Sequence, residues 1–157
     1  MKRIIVLGVL ASAVAVMPAL SETAPAAVTF SEGSVVAPLS DAPGDPAAGA
    51  TVMTTAALGN CVACHTISAM PDVQFQGNVG PTLDGAADRY DEAHLRGMVV
   101  NAKQTFEVTV MPPFYKTEGF IRPGAAYTGK APEGDLPPIL TAQQVEDVVA
   151  YLLTLKE

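Results

Sequence analysis

Cys61-Val62-Ala63-Cys64-His65 is the stretch on which the reading of this chain turns. These are the only two cysteines present, and in an exported protein a pair invites a disulfide. The short spacing and the histidine directly after the second cysteine point elsewhere. A covalently attached haem needs two cysteine sulfurs at its former vinyl groups, and the next residue must offer an imidazole to the iron from the same side. The pattern meets both needs within one short run. Two rivals read the same residues differently. A structural zinc site needs four ligands, and only Cys61, Cys64, His65 and the distant His94 are on offer. A thioredoxin-like redox pair needs a strand-rich setting that the pattern of this chain lacks. The expectation is therefore one haem c on Cys61 and Cys64, with His65 as an axial ligand of its iron.

The second axial position sets both potential and chemistry, since methionine, histidine and no ligand at all give different sites. The candidates are Met53, Met70, Met98, Met111 and His94. Met53 and Met98 fall at core spacing in predicted helices, the ordinary use of methionine. Met70 follows His65 too closely to reach the opposite face of the ring easily. Met111 precedes Pro112 and Pro113, which fix an extended run able to hold a thioether over the ring. Met111 is the expected ligand, with His94 as the alternative. A His/Met pair leaves no axial position for substrate, and thioether sulfur favours ferrous iron, so the site suits electron exchange rather than oxygen binding. A backbone carbonyl of the turn Gly80-Pro81-Thr82-Leu83 is the candidate acceptor that would orient His65.

With 157 residues the chain suits one domain with short extensions. Aromatic residues make up only 6% and tryptophan is absent, so a core of side chains alone would depend on Leu, Val, Ala and Met; a buried porphyrin would add the missing apolar area. Met1-Lys2-Arg3 and the apolar run from Ile4 to Leu20 read as an export leader over residues 1–21, which implies a periplasmic protein. Ala19 and Ser21 place a cut ahead of Glu22, and Ala24 with Ala26 offer a second one after Ala26. The rival is an uncleaved anchor, for which the run is short against the about 20 residues a bilayer requires. No later segment reads as a membrane span. Loss of Lys2 and Arg3 leaves 7 basic against 16 acidic residues, a formal charge of −9. Such a surface argues against nucleic acid as a partner, admits a basic protein partner and keeps the domain soluble.

The coarse pattern is all-α. Residues 22–45 are rich in Ala, Pro, Ser and Gly and read as an extended arm whose apolar patch, Val28, Phe30, Val35 and Val36, is expected to pack on its own domain, with a partner surface as the alternative. The domain proper spans 46–157. Asp45 and Pro46 are good start signals for a first helix running to about Gly59, with Gly49 leaving room for a close crossing. Leu95, Met98 and Val99 predict a helix from Asp91 to about Lys103, with Asp91 and Glu92 at its positive end. Val108–Pro138, with six prolines and four glycines, is loop. The clearest helix begins at Thr141 and carries Val145, Val148, Val149, Leu152 and Leu153 on one stripe, with polar residues between.

Taken together, the Asp45–Cys61 segment, Cys-x-x-Cys-His, Gly80-Pro81-Thr82-Leu83, Met111-Pro112 and the final helix resemble class I cytochromes c across residues 46–157. The resemblance implies helices and long loops wrapped around one covalent haem, with the Pro81 carbonyl accepting the hydrogen bond of His65. A narrower resemblance rests on Gly59-Asn60-Cys61 through His65, Gly80 to Gly85, Asp88-Arg89-Tyr90, Leu95-Arg96-Gly97-Met98-Val99-Val100-Asn101 and Met111-Pro112-Pro113-Phe114-Tyr115. These look like SoxX, the small monohaem subunits of SoxAX cytochromes in bacterial thiosulfate oxidation. That resemblance implies a periplasmic heterodimer with a larger SoxA-like cytochrome, acting as an L-cysteine S-thiosulfotransferase. Its catalytic haem would be in the partner, and a downstream cytochrome would be the electron acceptor. Subunit contacts are expected at residues 22–45 and 114–138. The alternatives are a free periplasmic electron shuttle and a haem-based gas or redox sensor.

Overall fold

The computed structural model describes residues 21–121, 123 and 129–157. The expected leader, except for Ser21, lies outside the described residues, as do residues 122 and 124–128 of the long loop. Among the described residues four helices carry the fold: α1 (Pro46–Thr54), α2 (Ala86–Arg89), α3 (Glu92–Asn101) and α4 (Ala142–Leu152). Single 3-10 turns occupy Pro25–Ala27, Cys61–Ala63 and Ala102–Gln104. Among the described residues there is no strand, only isolated bridges pairing Glu22 with Ser40 and Ser31 with Ser34.

Helix α1 starts where its local chemistry dictates. The Asp45 carboxylate accepts from the Ala47 N–H at 2.9 Å, and Pro46 takes the first helical position, where no N–H is needed. The helix stops at Thr54, short of the expected Gly59. Thr51, Thr54 and Thr55 each turn a hydroxyl back onto the carbonyl four residues earlier, offering the backbone a competing partner, and Thr55 is extended.

Helix α4 is fixed by a reciprocal cap: the Thr141 hydroxyl accepts from the Gln144 N–H while the Gln144 side chain accepts from the Thr141 N–H. Its stripe is buried at Val145, Val148 and Val149, each at most 1% exposed, and at Leu152, while Leu153, just past the helix end, is partly buried. Helix α1 crosses it so closely that a Cβ at Gly49 would lie 2.0 Å from the Asp147 carbonyl, so the sequence needs glycine there. Met53, Leu39 and Leu140 close the core around this crossing.

Two residues of α4 that read as polar spacers are in fact buried. Glu146 and Asp147 are each 6% exposed. Glu146 pairs with Arg96 of α3, itself 2% exposed, through contacts of 2.8, 3.1 and 3.0 Å. The same carboxylate accepts from the Leu39 N–H at 2.8 Å, and Arg96 donates to the Val35 carbonyl at 3.0 Å. Both charges thus have partners, as buried charges must, and the partners include the backbone of residues 35–39. At Gly97 the arm crosses α3 so closely that a Cβ there would lie 2.0 Å from the Gly33 carbonyl oxygen. Val35 is 2% exposed and Val28 and Phe30 pack against the core, whereas Val36 faces solvent.

Candidate functional site

The attachment sequence is shaped by three local features. Asn60 adopts a left-handed conformation with φ of 45°, which turns the chain sharply out of the α1 connection. Cys61–Ala63 then form a 3-10 turn, closed by Cys64 N–H to the Cys61 carbonyl at 3.1 Å and His65 N–H to the same oxygen at 2.9 Å. The turn brings Cys61, Cys64 and His65 together, and the two thiols are free rather than bonded to each other. Cys61 is half-buried and Cys64 exposed. Burial pushes the Cys61 thiol up to about 11, opposite to the lowered value a redox-active thiolate requires. Among the described residues no group of three or more His, Cys, Asp or Glu is placed to hold a metal ion. His94 lies elsewhere on α3, its Nδ1 2.8 Å from the Asp91 carboxylate.

His65 is held by the loop that follows. Its Nδ1 lies 2.7 Å from the Pro81 carbonyl. A carbonyl only accepts, so Nδ1 carries the proton and Nε2 keeps its lone pair for a metal. The loop is laid against the attachment turn by Gly77 N–H to the Val62 carbonyl and Gly80 N–H to the Cys64 carbonyl, both 2.8 Å. Gly80 is required by contact: a Cβ there would lie 2.2 Å from His65 Cε1. Arg89 braces the same loop, donating to the Asp84 carbonyl at 2.6 Å and the Thr82 carbonyl at 3.1 Å. The Ser68 hydroxyl and amide both donate to Asp84, which holds its carboxyl below the usual range. Sequence reasoning singled out the turn but not the packing of Gly80 on the imidazole, nor the brace from Arg89.

Met111 sits half-buried on the segment after α3, with its N–H 3.2 Å from the Thr109 hydroxyl. Phe114 and Tyr115 anchor the next residues, donating to the Val99 and Val100 carbonyls of α3 at 3.4 and 3.2 Å. Among the other described methionines, Met53 is 0% and Met70 9% exposed, while Met98, like Met111, is half-buried and packs against the core.

This residue set fits a covalent haem. Two free thiols share one turn, an oriented imidazole follows them, and apolar side chains flank both loops: Val79 stands before Gly80, and Val108 and Val110 before Met111, at 69%, 94% and 81% exposure. Large apolar groups at such exposure mark a surface built to be covered.

Comparison with known proteins agrees. The family model described as cytochrome c matches residues 46–156. The crystal structure of SoxXA from P. pantotrophus contains a chain that is 62% identical, with a TM-score of 0.83, covering 87% of this chain and 99% of that one. No curated protein sequence matches. The narrow resemblance and the helical fold both hold: the chain belongs to the cytochrome c family, as a SoxX-like class I member with one covalently bound haem c.

Proposed function

We propose that this chain is the electron-transferring subunit of a periplasmic SoxAX-type complex that joins thiosulfate oxidatively to a carrier-protein cysteine. One observation carries the reading. A chain that matches a SoxXA chain over 99% of that chain's length offers haem only Cys61 and Cys64, with no further cysteine for a thiolate ligand. The bond-forming haem is then the partner's, and this chain carries electrons onward to a downstream cytochrome.

Haem c supplies a one-electron ferric/ferrous couple. Cys61 and Cys64 fix the ring covalently, so the cofactor stays with the chain through every cycle. His65 would bind the iron through Nε2, with the Pro81 carbonyl at 2.7 Å keeping the imidazole from rotating. Met111 would supply the second ligand and so keep water and thiosulfate off the metal.

The test is to add thiosulfate and the carrier protein to the isolated complex. The visible spectrum of this chain should turn ferrous as the conjugate forms. Conjugate forming while this chain stays ferric would contradict the proposal.

A further inference from the structure

On its C-terminal side, Pro112 and Pro113 stand between Met111 and the anchors at residues 114 and 115; on the other side its N–H meets the Thr109 hydroxyl at 3.2 Å. Two prolines have fixed φ and no N–H, so they transmit position rather than absorb it. Whatever fixes residues 114 and 115 therefore fixes Met111. Their backbone is tied to α3 at Val99 and Val100, and the Leu140 N–H donates to the Phe114 carbonyl at 3.0 Å. The Tyr115 side chain reaches farther. It is 5% exposed, and its hydroxyl donates to the Thr23 carbonyl at 2.7 Å, across 92 residues of sequence.

Thr23 is itself held firmly. Its N–H donates to the Leu39 carbonyl at 2.8 Å. Leu39 is 1% exposed and bonded through its own N–H to Glu146 of α4. A continuous chain of contacts thus runs from α4 through Leu39, Thr23 and Tyr115 to the segment carrying Met111. Burial, followed by the Glu22 carboxylate, holds the Tyr115 phenol above its ordinary range, so it remains a donor.

We propose that Tyr115 is a positioning residue for Met111, and that the start of the arm, through the Thr23 carbonyl, is the strap that holds it. The proposal rests on Met111 being the axial ligand. It gives the site of leader cleavage a functional consequence: a cut ahead of Glu22 keeps the strap, and a cut after Ala26 removes it.

The experiment is a double-mutant cycle on the holoprotein. One arm is Tyr115→Phe, the second a chain whose leader is joined directly to residue 27, and the third combines them. Cyanide titration of the ferric protein reads how easily the methionine is displaced, and the far-red Met-to-iron charge-transfer band reads whether it is bound. Each single change should raise apparent cyanide affinity about three- to tenfold, the range expected for loss of one hydrogen bond. The combination should show no more than either alone. Multiplicative effects, or a Tyr115→Phe protein that melts earlier with unchanged cyanide affinity, would overturn the strap. A wild-type protein lacking the far-red band would instead overturn the assignment of Met111 on which it rests.

Discussion

Met111→Ala should keep its haem covalently attached and lose the far-red charge-transfer band entirely. The thioether links depend on Cys61 and Cys64, which the substitution does not touch. His65 also keeps its Pro81 contact at 2.7 Å, so one axial ligand persists while the other position opens to water or an added ligand. Loss of a thioether that favours ferrous iron should lower the reduction potential. The change should also slow electron delivery by the complex, because the couple no longer matches its acceptor. Optical spectroscopy and a redox titration of the purified variant check both effects. A band surviving in Met111→Ala would move the assignment to another methionine.

Glu146→Ala should be the most destabilising single change in the scaffold. It leaves the Arg96 guanidinium, 2% exposed, without its main counter-ion, and it orphans the Leu39 N–H. Glu92 remains as a partner, but its side chain is 58% exposed, and an exposed carboxylate offsets little. Removing one member of a buried pair costs about 3–5 kcal/mol, which corresponds to a fall in melting temperature on the order of 10 °C or more. Glu146→Gln retains an acceptor for Leu39 and should fall between. Thermal unfolding of the holoprotein, followed by circular dichroism, measures the loss. A melting point within 2 °C or so of wild type would mean that the guanidinium finds water in the protein.

What the sequence disclosed, and what it did not, divides by range. The attachment motif is local: Cys61, Cys64 and His65 share one turn, so spacing alone defines it. Helix starts are equally local, as Asp45 with Pro46 and Thr141 with Gln144 show. The end of α1 was misjudged because Gly59 looked like a stop, whereas the threonines at 51, 54 and 55 had already given the backbone other partners. Helix α2 is only four residues long, too short to show periodicity, and Gly85 in a left-handed conformation begins it.

The Arg96–Glu146 pair is non-local, joining residues 50 apart. One signal was available: Glu146 stands three positions before Val149 and four after Ala142, both on the buried face. A carboxylate there demands a buried cation, and Arg96, placed in the α3 pattern beside Leu95, was the available match. The segment Leu95 to Asn101 carried much of the resemblance to SoxX, and the structure gives part of its physical content. Arg96 binds the arm backbone at Val35, Gly97 lets the arm pass at Gly33, and the Val99 and Val100 carbonyls receive the Met111 segment. The pairing of Thr23 with Tyr115 had no sequence signal, since its acceptor is a backbone carbonyl.

The most direct measurement is gentle isolation of the tagged chain from its native host, followed by haem-stained gel electrophoresis beside mass spectrometry. The account predicts one covalent haem on this chain and a second haem-staining cytochrome recovered with it in one-to-one ratio. A single-haem protein recovered alone would contradict the subunit reading, and a chain without covalent haem would contradict the site itself.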